Sequence, residues 1–191
     1  MFKCIVCTNY SLSLICKNCQ AKLLAPSISS RILSSKLKVY SFYKYSEISK
    51  LLHTKHTYHG SKIYNILASN SFSKFSKKFN HDKKVYSIAI DDKTTSNYSH
   101  TAILSKALKS KTIKPIYNAL KAKNNISYSK KSLDFRLKNP RDFKYNFSSN
   151  IDVILVDDII TTGTTILEAQ RVLKEYNVNV LFALTIADAR L

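Results

Sequence analysis

Val153-Ile154-Leu155-Val156-Asp157-Asp158-Ile159-Ile160-Thr161-Thr162-Gly163-Thr164-Thr165 is the stretch that decides how this chain folds. Four aliphatic residues in a row read as a strand buried on both faces, as in a parallel sheet. Two carboxylates, Asp157 and Asp158, follow at its carboxyl end. The hydroxyl run Thr161, Thr162, Thr164 and Thr165 encloses Gly163. Beyond it Ile166, Ala169, Leu173 and Tyr176 recur at helical spacing, so the run opens a helix. A helix start leaves backbone N–H groups unpaired and carries partial positive charge, which favours a phosphate. Gly163 lets the backbone come close to such an anion. Carboxylates would repel a phosphate, so Asp157 and Asp158 suit another part of the ligand, a vicinal diol. Phosphate cradle and diol acceptors together describe a ribose 5-phosphate. The chain has only 2 glycines, where usage of about 7% would give roughly 13. One of the two lies inside this loop.

On either side of it, residues 85–90 and 112–117 read as strands, 100–108 as a helix, and 179–186 as the strand after the loop helix. Residues 37–45 alternate and are rich in aromatics, as in a strand or hairpin. Residues 47–52 and 63–79 read as helices. Alternating strands and helices indicate a doubly wound α/β domain with its ligand at the carboxyl ends of the strands. His53, His56 and His59 recur every third residue. That spacing walks around a helix, and no carboxylate lies close in sequence, so a solvated turn is expected there rather than a metal site.

The 4 cysteines of the chain fall within its first twenty residues, as Cys4-x-x-Cys7 and Cys16-x-x-Cys19. Two such pairs present four thiolates tetrahedrally, which suits structural zinc. A redox dithiol needs one pair only, and buried core cysteines do not cluster this closely. With all four ligands from protein, no coordination position is left for catalysis. The organisation read from the sequence is a zinc finger over 1–24, a serine-rich connector over 25–36, and an α/β domain over 37–191.

With 31 Lys and Arg against 12 Asp and Glu, the chain carries a net charge of +19. Such a field favours polyanions: nucleic acid, anionic lipid or a phosphorylated substrate. An AT-rich coding bias, visible in the abundance of Asn, Ile, Lys, Ser and Tyr, supplies part of the lysine excess but not the shortage of acids. Between 121 and 147 aromatics alternate with Lys130, Lys131, Arg136, Lys138, Arg141 and Lys144. This interleaving suits stacking of unpaired bases with phosphate contacts beside them. It equally suits a flap over a phosphorylated substrate, or a loop whose aromatics pack on the domain. No stretch is apolar enough to span a membrane, and the first residues lack the basic head and apolar run of a signal peptide. A cytoplasmic protein is expected.

Residues 153–165 resemble the signature of the type I phosphoribosyltransferases: four apolar, two acidic and two apolar residues, then Thr-Thr-Gly-x-Thr. The resemblance implies that Asp157 and Asp158 bind the ribose hydroxyls of phosphoribosyl pyrophosphate (PRPP), with Thr161, Thr162, Gly163, Thr164 and Thr165 on its 5-phosphate and Mg²⁺ on the pyrophosphate. Asp157 is the candidate catalytic residue. A four-cysteine finger joined to such a domain resembles the ComF family. Lys55 followed by Tyr58 and Gly60 looks like that family's Lys-Tyr-x-Gly region, and Arg136-x-x-Asn139 with Phe143 like its Arg-x-x-Asn…Phe segment. Where the family has Arg-Gly-Phe-Asn, this chain reads Asn97-Tyr98-Ser99-His100, preceded by Lys93. The resemblance implies a competence factor that handles single-stranded DNA during natural transformation. Its implied partner is a helicase-like protein of the uptake machinery at the inner face of the membrane. The alternative is an active phosphoribosyltransferase acting on a nitrogen base.

Overall fold

A computed structural model describes residues 1–90, 98–124 and 133–191, without the side chains of His56, Leu133, Arg136 and Leu137. Asp91, Asp92, Lys93, Tyr128, Lys130 and Lys131 lie outside the described residues. The chain begins with a small hairpin, β1 (Phe2–Lys3) and β2 (Tyr10–Ser11), and a short helix α1 (Lys17–Leu23). The stretch read as a connector contains a strand, β3 (Ser29–Ile32), which pairs antiparallel with β4 (Lys38–Lys44). Ile32 on β3 is exposed. An edge strand with serines and one wet face has no apolar alternation to betray it, and that is why composition reads it as linker.

There follow α2 (Tyr45–Leu52), a 3-10 turn (His53–His56), α3 (Gly60–Asn70) and α4 (Phe72–Lys78). The single helix expected over 63–79 is broken at Ser71, whose φ −119° and ψ −80° leave the helical region. The Ser71 hydroxyl donates to the Leu67 carbonyl at 2.7 Å, the local competition that lets serine end a helix. The break turns Phe72 inward and Phe75 onto Phe42, with ring centroids 4.8 Å and 6.2 Å from Phe42.

Then come β5 (Val85–Ala89), α5 (His100–Ala107), β6 (Ile113–Ile116) and β7 (Leu120–Ala122). α6 (Leu133–Lys138) and β8 (Phe143–Tyr145) lead to β9 (Asp152–Ile160), α7 (Thr164–Glu175) and β10 (Asn179–Asp188). The main sheet has the order β3-β4-β10-β9-β5-β6, with every pairing parallel except β3 with β4. The fold is thus α/β, a largely parallel sheet flanked by helices with a four-cysteine cluster near the N-terminus.

Alternation along β9 supplies two cores. Ile154 and Val156 join α2 to α5 on one face, together with Leu14, Ile15 and Leu24 of the N-terminal module. Val153 and Leu155 join α7 and the β7–β8 ribbon on the other. The N-terminal module is therefore not a loose appendage. Ile15 and Leu24 are fully buried, Asn70 donates to the Gln20 side chain at 2.9 Å, and the Tyr43 hydroxyl donates to the Leu24 carbonyl at 3.1 Å. Among the described residues, no helix is long and apolar enough to cross a membrane.

Candidate functional site

The signature folds as its residue types dictate, and β9 runs on to Ile160, so the acidic pair lies inside the strand near its carboxyl end. Thr161 and Thr162 make the crossover, and Thr164 and Thr165 are the first residues of α7. Gly163 caps the helix with φ +85° and brings no side-chain cap, while the Thr162 hydroxyl accepts from the Thr164 N–H at a long 3.5 Å. A Cβ at Gly163 would stand 2.7 Å from Leu33 Cδ2. Left-handed backbone and lack of room both demand glycine here. The Thr162 and Thr164 hydroxyls are hydrogen-bonded to each other at 3.1 Å, which gathers two short donors at the N-terminus of a twelve-residue helix. Arg31 reaches in from β3, donating to the Thr161 carbonyl and lying 3.4 Å from Asp188.

Strand alternation sends the two carboxylates to opposite faces of the sheet. Asp158 points with Ile154 and Val156 towards α3 and α5. Its Oδ2 accepts from Lys55 Nζ at 3.0 Å, lies 3.4 Å from His100 Nε2, and is 3.5 Å from the Tyr64 hydroxyl. The Ile159 N–H donates to Oδ1 at 2.8 Å. Burial opposes the Asp158 anion, yet Lys55, His100 and the Ile159 N–H outweigh it and hold this carboxyl below the usual carboxylate range. Burial likewise works against the Lys55 charge, and Asp158 and Asp157 more than restore it. Tyr64 is a neutral donor, its phenol pushed up by burial and then by the Asp158 charge.

Asp157 is placed differently. It is half-buried, accepts its neighbour's N–H at 2.8 Å, and makes no ion pair among the described residues. Burial, and then the Asp158 charge, raise its carboxyl well above the usual range. One carboxylate is neutralised by cations; the other faces the hydroxyl loop's side of the sheet without one.

Lys55, His100, Tyr64 and Arg31 complete this constellation. The sequence points to Lys55 and His100 only through stretches compared with the family, and to Tyr64 and Arg31 not at all, since they are brought in by α3 and β3. The other glycine serves the same place. At Gly60 a Cβ would fall well inside contact with the Thr54 carbonyl and the Tyr98 hydroxyl, and that hydroxyl donates to the Lys55 carbonyl. Gly60→Ala is expected to push the 53–57 turn off Tyr98, at a cost of about 1–3 kcal/mol, and to displace Lys55 from Asp158. Thermal denaturation checks the first effect. A shift of the Lys55 ε-methylene resonances checks the second.

The four cysteines meet as their spacing predicts. Their sulfurs all lie within 4.8 Å of one another, and Cys7 Sγ and Cys16 Sγ are 3.7 Å apart. A tetrahedron with Zn–S of about 2.3 Å has edges of about 3.8 Å, so the donor set fits zinc. Backbone N–H groups of Cys16 and Cys19 point at Cys4 Sγ (3.3 Å) and Cys16 Sγ (3.4 Å). Burial works against a Cys4 thiolate, but N–H donors of Cys16, Cys7 and Val6 bring this thiol down to about 6. Cys19, beside the Cys16 side chain and buried, is pushed up to about 12. His53 bonds the Tyr45 hydroxyl at 2.9 Å, and the cysteine cluster is the one grouping of potential metal ligands among the described residues, which leave out the His56 side chain.

The basic–aromatic segment is resolved into different roles. Phe143 and Tyr145 are buried in the second core and cannot stack on a ligand. Phe147 is half-exposed and packs edge-on to Tyr86 at 5.8 Å. Lys138 pairs with Asp134 at 3.1 Å. The Arg141 backbone N–H donates to Glu168 at 3.0 Å, which fastens it to α7. Lys144 is exposed.

Solved structures similar to this chain are phosphoribosyltransferases. A hypoxanthine phosphoribosyltransferase from Staphylococcus aureus shares 18% identity at a TM-score of 0.40, over 65% of this chain and 62% of its own. Leishmania donovani UMP synthase shares 12% at 0.40, over 88% of this chain and 30% of its own. Orotate phosphoribosyltransferase of Mycobacterium tuberculosis H37Rv shares 12% at 0.39, over 89% of this chain and 94% of its own. The chain thus spans less than two thirds of the first two. No family model matches the chain, and no curated protein matches it. With overlaps this partial, the fold rests on the chain's own strand order and the site on its own geometry.

Proposed function

We propose that this protein binds PRPP at the carboxyl end of β9 and handles single-stranded DNA in the cytoplasm as a competence factor of the ComF kind. The observation that carries the PRPP half is the glycine-led start of α7 beside a half-buried carboxylate without an ion pair among the described residues. Asp157 and Asp158 accept from the ribose diol, with Asp158 oriented by Lys55. Thr161, Thr162, Thr164 and Thr165 hold the 5-phosphate, and Mg²⁺ enters with the pyrophosphate and supplies countercharge there. Zinc is structural, held by Cys4, Cys7, Cys16 and Cys19. The net charge of +19 supports a polyanionic partner. On this reading the protein works beside a helicase-like partner at the inner membrane face.

Calorimetric titration with PRPP–Mg²⁺ tests the first half. Gly163→Ala puts a Cβ against Leu33 in left-handed backbone, so binding should weaken at least tenfold while the fold survives. Binding unchanged by this variant would move the phosphate elsewhere. Fluorescence anisotropy with labelled single-stranded and duplex oligonucleotides tests the second half, and equal affinity for both would reduce it to bulk charge. A second reading, transfer of ribose phosphate onto a nitrogen base, is favoured by the raised Asp157 carboxyl beside the expected sugar. Pyrophosphate release on addition of a base would establish it.

A further inference from the structure

The amino end of the sheet, opposite the PRPP loop, carries a lysine surface that the functional site does not use. Lys74, Lys77 and Lys78 stand on α4, and Lys106, Lys109 and Lys111 at the end of α5 and beyond; all six are exposed. The two helices are tied together, since the Ser73 hydroxyl donates to the Ala107 carbonyl at 3.2 Å. Lys83 and Lys84 follow in the turn before β5, with Lys84 Nζ on the Lys111 carbonyl at 2.6 Å. Among the described residues none of these eight lysines pairs with a carboxylate, and between Lys74 and Lys84 the one acid in sequence is Asp82. Such a concentration of unpaired like charge opposes folding and is compensated when a polyanion releases its counterions onto it.

Next to Lys83 and Lys84 an open cavity of about 410 Å³ is lined by Tyr86, Asn150, Asp152, Asn177 and Asn179, the Asn179 amide donating to Asp152 at 2.7 Å. That volume lies within the ordinary range for small-ligand clefts, about 300–1,000 Å³. Asparagine amides offer both donors and acceptors, matching the edge of a base. Tyr86 is half-buried and braced edge-on by Phe147, leaving an aromatic wall. A lipid headgroup needs only the charge. A slot of amides and a ring beside a lysine track suits a nucleotide with its backbone running on.

We infer that single-stranded nucleic acid runs along this amino-end surface, over α4 and the α5–β6 turn, with one base in the Tyr86 cavity. The inference rests on the single-strand reading above and gives it a place distinct from the PRPP loop. β9 spans the sheet between the two, and its nine residues separate them by roughly 25 Å. Strand and PRPP then bind together rather than in competition.

The test uses the full zinc-loaded chain and fluorescence-labelled oligothymidylate. Replacing Lys83, Lys84, Lys109 and Lys111 by Gln should weaken binding at least tenfold. It should also flatten the salt dependence by roughly 0.7 per lysine removed, close to 3 in all. PRPP affinity and melting temperature should not change. A matched set on and beside the β7–β8 ribbon, K121Q, K138Q, R141Q and K144Q, should weaken binding less than threefold. The reverse pattern would overturn the surface while leaving single-strand binding standing. Displacement of the oligonucleotide by saturating PRPP would overturn it too. Failure of the parent chain to bind the oligonucleotide, or preference for anionic vesicles over it, would remove both this surface and the reading it rests on.

Discussion

Asp157→Asn is expected to weaken PRPP binding by about a hundredfold and, at neutral pH, to raise the melting temperature of the free protein. The two effects share one cause. Asp157 is held beside an ionised, buried neighbour without a cation of its own. The amide keeps the bond that Asp157 Oδ1 accepts from the Asp158 N–H and removes the like charge. Relief of about 1 kcal/mol should raise the melting temperature by roughly 2–4 °C for a chain of this size. Loss of a charged acceptor for two ribose hydroxyls costs about 1.5–3 kcal/mol or somewhat more, which is the affinity loss.

The pH dependence follows from the direction of each shift. Asp157 is raised, so the stability it contributes is complete below its unfolded value and is lost as pH rises through its folded value. Asp158 is depressed and contributes in the opposite sense, present above the unfolded value and lost as pH falls through the folded one. The gain from Asp157→Asn should therefore be largest at pH 7–8 and shrink towards pH 4, where the parent carboxyl is already protonated. Scanning calorimetry across that range decides the matter; a variant that melts lower than the parent at pH 7.5 would refute the like-charge account.

Removal of the metal site should affect the whole molecule. Cys4 and Cys19 belong to the same core as Ile63, Leu67 and Phe72, and Ile15 and Leu24 between the two modules are fully buried. Cys4→Ser with Cys19→Ser, or chelation of bound zinc, should undock that face. At about 1.5–3 kcal/mol for each of two buried side chains, the melting temperature should drop by roughly 10 °C or more. Near-ultraviolet circular dichroism of the tyrosines packed beneath would report the loss. A change confined to residues 1–24, with the α/β transition unmoved, would show that the two fold separately.

Much of this was legible because it is local. The aliphatic run of β9, the glycine-led start of α7 and the paired cysteines each carry their signal within a dozen residues, and the structure places them as read. What the sequence hid is what the fold assembles over distance. Lys55, Tyr64 and His100 converge on Asp158 from helices about a hundred residues or fewer away in sequence, and no spacing rule links them. β3 escaped notice because half its side chains are wet and two of its four residues are serines. Phe143 and Tyr145 show a further gap. Aromatics between lysines look alike whether they pack inward or stack on a ligand, and only the β7–β8 pairing decides.

The strand order also sets a sequence of events in time. β10 is the last strand along the chain, yet it stands between β4 and β9, with Thr185 bonded to Ser41 across 144 positions. Until it inserts, the β3–β4 hairpin and the β9–β5–β6 trio each keep an inner edge open. Closure of so distant a ladder is slow, and open inner edges invite pairing with other chains. Refolding should thus be rate-limited by docking of this one strand and sensitive to protein concentration. The wide spread of like charge over the surface works as protection during that interval, keeping half-closed molecules apart.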